Sequence, residues 1–314
     1  KFGGSLKIHI NKARSLYVLG TAKQDARESG SITWGYDNLS IFDSESFRSF
    51  LLTRAEYYQE YRLAVHFKVG KNLSFMPSIG NTYSQNPYDI LYGETNNGNF
   101  IGSPSYRFSD ISLYARIAFG EKRVSSENYD LMLGNPKVHP TIQVQIQKGI
   151  PDLWQGTINH WSGRVKLSQS VNTKYLGTFS YKVVGGLCSD NVPLSLSFNA
   201  PASYRKFTVA SPNSFETMRM NEFYSTRFVF IFLRHSFNHL IFGDGKFAPV
   251  PEIMTNIGYG DYTGDAYIQS PPFKTMKAPY LESGLFMNNL LNMGFYSLGI
   301  GVVYRYGYHH LPDI

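Results

Sequence analysis

His235 and His239 stand four residues apart, a spacing that on a helix would place two imidazoles on one face as a metal-binding pair. Their surroundings read as strand, where the same spacing leaves the rings roughly 13 Å apart. No Glu lies between them, so they read as surface imidazoles at a strand end and turn. His309 and His310 read as part of a solvated tail. No Gly-x-Ser-x-Gly, Walker or dinucleotide-binding pattern occurs, and Asp110 and the glutamates are scattered rather than paired on one strand. Nothing recruits a nucleophile, and an enzyme is not expected. Cys188, the single cysteine, excludes an intramolecular disulfide and a cysteine-based zinc site. No cofactor is expected.

The residues that do share an environment are basic. Arg62, His66, Lys68, Arg116, Arg164, Lys166, Lys182 and Arg305 all fall on the polar faces of alternating segments. One reading is an anion-attracting interior, because a low-dielectric wall focuses such a field. The stronger reading is that these bases pair with carboxylates from loops or a plug, as Glu60 could pair with Arg62 on the same strand face. Nucleic acid is not an expected partner despite the net charge of +7, since the aromatics lie on the apolar faces and not among the bases.

The elements that must position these residues have period two. In Tyr57–Val69 the odd positions include Tyr61, Leu63, Val65 and Phe67, against Glu60, Arg62, His66 and Lys68. Ile142, Val144 and Ile146 oppose Gln143, Gln145 and Gln147, and Leu298, Ile300, Val302 and Tyr304 oppose Gly299, Gly301 and Arg305. Such alternation marks strands with one apolar and one polar face. Composition agrees: charged residues are only 17% and aromatics 16%, too apolar for a disordered chain. The longest apolar run, Phe228–Leu233, is far short of the ~20 residues of a spanning helix.

A soluble sandwich and a transmembrane barrel both produce this pattern. Tyr57–Val69 and Tyr296–Tyr308 are 13 residues long with aromatics at their ends, which favours the barrel, its apolar face towards lipid. The expectation is therefore an all-β chain: a transmembrane antiparallel barrel of 14–16 strands, 16 favoured, forming a single domain over residues 1–314. The weak segments Ile32–Tyr36, Phe47–Leu52 and Pro193–Phe198 would supply the last strands. The polar stretches Gly80–Pro104, Glu121–Pro140 and Asp261–Pro279 suit the extracellular side, and tight joins such as Asn292–Gly294 the periplasmic side. The chain opens at Lys1 without Met or an apolar leader, and it is expected to be the C-terminal part of a longer protein.

Resemblance enters in the C-terminal third, through Ser214–Phe223 (SFETMRMNEF), Ser225–Phe237 (STRFVFIFLRHSF), Thr255–Gly260 (TNIGYG), Glu282–Leu291 (ESGLFMNNLL) and Gly299–Gly307 (GIGVVYRYG). His139–Gly149 (HPTIQVQIQKG) adds a mid-barrel strand. These resemble an uncharacterised outer-membrane family of Bacteroidota, whose members usually carry a carboxypeptidase-regulatory-like domain ahead of the barrel. That barrel is similar to the BamA/TamA-type superfamily of assembly and translocation proteins. The resemblance implies 16 strands and a loop folded into the lumen, with a Val-Arg-Gly-Phe/Tyr-like tip whose Arg contacts the inner wall. Tyr204–Phe207 (YRKF) is the nearest match to that tip, with Lys206 in the place of Gly. Arg205 is thus the expected contact, Arg219 its substitute, and Glu222, Glu252 and Glu282 the available carboxylates. The implied role is a non-enzymatic bacterial outer-membrane subunit of an export, insertion or biogenesis machine, with the bilayer and other envelope proteins as partners. A porin-like channel with a basic lumen is the alternative.

Overall fold

The computed structural model describes residues 2–11, 15–34, 55–86, 90–96, 99–120, 122–125, 130–133, 139–204, 213–243, 248–264, 268–292 and 297–311. Twelve strands form one antiparallel sheet in which each pairs with the next along the chain. They are β1 (Phe2–Asn11), β2 (Leu16–Glu28), β3 (Ala55–Val69), β4 (Leu73–Gln85), β5 (Ser105–Ala118) and β6 (Thr141–Gly149), then β7 (Trp161–Thr173), β8 (Gly177–Cys188), β9 (Arg227–Ser236), β10 (Val250–Asp261), β11 (Met276–Asn292) and β12 (Ser297–Tyr306). β-Branched and aromatic residues fill these strands because they pack well on a pleated surface. Among the described residues, the weak segments add no strand to this wall. Ile32–Trp34 is irregular, and Pro193–Phe198 holds a 3-10 turn at Leu194–Leu196 followed by the first residue of a two-residue strand. Phe47–Leu52 lies outside the described residues.

Alternation sets the two faces. The outer face is apolar and exposed: Ile300 and Val302 are 67% and 75% accessible, and Leu63, Ile111, Leu113, Ile146, Val165, Val229, Ile253 and Leu285 are exposed on the same side of their strands. The inner face is buried and carries the charged residues together with an apolar patch at Phe228, Phe230 and Phe232, with Arg305 only 4% accessible between exposed Tyr304 and the half-buried Tyr306. A soluble β-protein has the opposite arrangement.

The meander also sorts the connections. By strand direction, β2–β3, β4–β5, β6–β7, β8–β9 and β10–β11 are joined at one end of the sheet, the end with the longer connections. The short turns 70–72 and 174–176 lie at the other, where β1–β2, β5–β6, β9–β10 and β11–β12 are also joined. Glu121–Pro140, expected among the long loops, joins β5 to β6 at the short-turn end, because β5 runs antiparallel to β4 towards that end. Length alone gave it the wrong side; strand parity decides it.

Candidate functional site

The described residues of the connection after β8, 189–204 and 213–226, fold across the inner face. Pro193 and Pro201 interrupt it, since proline cannot donate to a ladder, and the chain makes only short pairings of its own. Phe198–Asn199 pairs antiparallel with Tyr224–Ser225, and Ala202 and Tyr204 pair parallel with Phe215 and Arg219. Apolar side chains hold it against β8–β11: Phe215, fully buried, meets Phe230, Phe232 and Tyr280 with ring centroids 5.5, 5.1 and 5.0 Å away. Gly258 makes the seat, because a Cβ there would come within 3.0 Å of the Phe215 ring and 2.9 Å of Met276 Sδ. At its other side the loop places Leu196 against Tyr106 and Phe108 of β5, and Ser195 hydrogen-bonds the Tyr106 hydroxyl. The loop therefore reaches from β5 to β12 across the interior.

Polar groups fix the register of this plug. The Glu282 carboxylate on β11 accepts the backbone N–H groups of Glu216 (2.7 Å) and Thr217 (3.0 Å), the Thr217 hydroxyl (2.6 Å) and the Asn256 amide (2.8 Å). A buried carboxylate with so many donors is satisfied without a cation, and its bonds are of the strong, charge-assisted kind. Arg234 on β9 joins Glu252 of β10 (2.7 Å) to Glu216 of the loop (3.3 Å). Arg305 on β12 donates to Glu222 (3.1 Å) and lies over the Tyr280 ring, 4.5 Å from its centroid. Burial would raise the Glu222 pKa, but bonds from Arg305, the Arg219 backbone N–H and Lys274 outweigh it and hold the carboxyl below its ordinary range.

A base of the wall paired with a carboxylate of the plug, as in Arg305–Glu222, is what the stronger reading of the basic face expects. Arg205 lies outside the described residues. Arg219 is exposed, and it is its backbone N–H, not its guanidinium, that reaches Glu222 (3.0 Å). The loop brings carboxylates, Glu216 and Glu222, to arginines of the wall. Glu222, Glu252 and Glu282 are all in this network, Glu222 as a loop residue and the other two as wall residues. Glu216 and Arg234 were missed by sequence reasoning. The signal was in Phe228–Leu233: a strand apolar on both faces is covered on both faces, so something had to pack inside β9.

The basic face is occupied by partners. Arg62 donates to Asp110 (2.9 Å) and Glu60 (2.6 Å), while Arg164 and Lys166 lie 5.5 and 4.7 Å from the centroid of Trp34. Lys182 donates to Asn213 of the loop. Lys68 and Arg116 are half-buried and partnered. The His66 Nδ1 meets the Ser15 carbonyl at 2.8 Å. His235 contacts the Leu176 carbonyl at the short-turn end, and among the described residues no group of three or more His, Cys, Asp or Glu could hold a metal. His309 is not in a solvated tail: it is buried against Phe223, centroids 5.1 Å apart, because the chain after β12 turns back over the plug.

Against known proteins, the chain is similar to a solved structure of BamA from Haemophilus ducreyi lacking POTRA domains 1–3, with a TM-score of 0.59 and 10% identity. The likeness covers 96% of this chain and 58% of that one, so it speaks for the barrel fold and for little more than half of the other chain's length. No curated protein matches significantly. The model of the C-terminal domain of DUF5686, a family of unknown function, matches residues 47–244, and the chain belongs to that family.

Proposed function

We propose that the protein is a non-enzymatic barrel of the bacterial outer membrane, acting as a subunit of an envelope protein export, insertion or biogenesis machine. The observation that carries this reading is the plug. A loop that crosses the interior and is locked by Glu282, Arg234 and Arg305 suits a regulated machine better than an open pore. The barrel fold shared with BamA supports the same placement, as does an exposed belt of apolar side chains, which lipid would cover. The long-loop end is then extracellular and the partners are the bilayer and other envelope proteins. An origin in Bacteroidota and a carboxypeptidase-regulatory-like domain ahead of the barrel belong to the same proposal, and neither nucleic acid nor a cofactor enters it.

Affinity purification of the full-length protein from native membranes, followed by mass spectrometry, tests the role. Stoichiometric recovery of envelope assembly or export proteins is expected. Recovery of the barrel alone after mild cross-linking would contradict it. The channel reading draws on the basic inner face, but each of those described bases has a partner.

A further inference from the structure

The outer wall is not uniform. On the exterior of β1–β4 lies a groove of about 1020 Å³ whose floor includes Gly20, Ala22, Tyr61 and Leu63. The register explains it. Gly4 stands opposite Ala22 and Leu6 opposite Gly20, and on the next strand Ala22 and Gly20 face Tyr61 and Leu63. Small residues thus occupy adjacent outward positions on two strands, where most other strands carry Leu, Ile or Val. A Cβ added at Gly4 or Gly20 would meet no atom within 4 Å, so these glycines are not filling a tight contact; they leave space.

The groove has a roof and a charge. The connection 150–160 hooks back over the outside of β4 and β5: Asn81 donates to the Trp154 carbonyl (3.1 Å), and Ser109 to the Leu153 carbonyl (2.5 Å). Asp152, Trp154 and Gln155 adopt positive φ (64°, 46° and 64°), a conformation that side-chain-bearing residues rarely take and that the surrounding bonds must hold. The half-exposed Trp154 lines the groove at the long-loop end, where aromatic residues of barrels meet the membrane interface. Beside it stands Arg107, which donates to Gln155 Oε1 (2.6 Å) and lies 5.8 Å from the Tyr83 ring centroid. Arg27, Arg62, Arg227, Arg234 and Arg305 all pair with carboxylates, but among the described residues Arg107 pairs with none.

We propose that this groove is a binding site for an anionic phospholipid, one whose phosphate charge no headgroup cation offsets, with an acyl chain lying over Gly20 and Leu63 and the phosphate at Arg107. An apolar trough in a wall that faces lipid takes a hydrocarbon chain, and a guanidinium with spare donors at its interfacial end takes a phosphate bidentately. The inference rests on the outer face meeting the bilayer, as proposed above.

Native mass spectrometry tests it on the full-length protein, extracted in detergent and incubated with phosphatidylglycerol or with phosphatidylcholine of the same chains. The wild type is expected to retain phosphatidylglycerol at least fivefold over phosphatidylcholine. Gly20→Leu, whose Cβ would meet no atom within 4 Å, puts a side chain into the trough and should lower retention of both lipids. Arg107→Gln should abolish the preference between them. Equal retention of the two lipids by the wild type, or unchanged retention in Gly20→Leu, would overturn the site. Heat-modifiable gel mobility of each variant reports the folded barrel separately. Recovery of the wild type in the soluble fraction would overturn the membrane placement instead.

Discussion

At the scale of residues, the interior works by pairing buried charge, and the pairs make unequal demands. Arg305→Met would leave Glu222 with Lys274, an exposed cation, in a site that is otherwise buried. Breaking one side of a buried pair costs roughly 3–5 kcal/mol, whereas replacing both partners by apolar groups is much milder. Arg305→Met/Glu222→Leu is therefore expected to be more stable than Arg305→Met alone, as read by urea unfolding in detergent. A double variant less stable than either single one would show that the pair is not coupled. His160 gives a pH prediction. It is buried under Phe108, near Lys148, with no hydrogen-bond partner for either ring nitrogen among the described residues. Burial, and then the Lys148 charge, push its pKa down to about 4. The unfolded chain takes up this proton first as pH falls. The associated stability is thus complete above pH ~6.5 and lost as pH approaches the folded value, by on the order of 3 kcal/mol. His160→Phe should remove that component of the pH profile; an unchanged slope would contradict it.

At the scale of elements, the strands were legible and the plug was half legible. Alternation in Tyr57–Val69 and Ser297–Tyr306 assigned the faces correctly because a strand has only two sides and a one-residue error exchanges them. The loop 189–226 could be read as irregular from its prolines, but which of its residues touch the wall depends on contacts between residues 15 or more positions apart, such as Phe215 with Phe230 and Thr217 with Tyr280. No local spacing records those. The superfamily pattern points to an arginine at the tip, Arg205, which lies outside the described residues; the described pairs join arginines of β9 and β12 to acids of the loop. Phe215 is the element's anchor, and Phe215→Ala is expected to cost about 3–5 kcal/mol by emptying its cavity. Limited proteolysis should then cut within 189–226 in the variant and not in the wild type. Equal protection in both would mean that the loop is held elsewhere.

At the scale of the whole molecule, the chain is an inside-out β-protein: apolar outward, its charges inward, and packed inside by its own loop. The outward half predicts that Ile300→Arg, in the exposed apolar belt, loses about 2–4 kcal/mol if it lies near the membrane midplane and is recovered poorly in the membrane fraction. Recovery at the wild-type level would reverse the assignment of faces. The inward half is tested most directly by single-channel recording in a planar bilayer, comparing the wild type with Phe215→Ala/Glu222→Gln. The wild type is expected to be closed apart from brief openings, and the variant to show frequent, larger and longer ones. A wild type with large, steady conductance, unaltered in the variant, would contradict it.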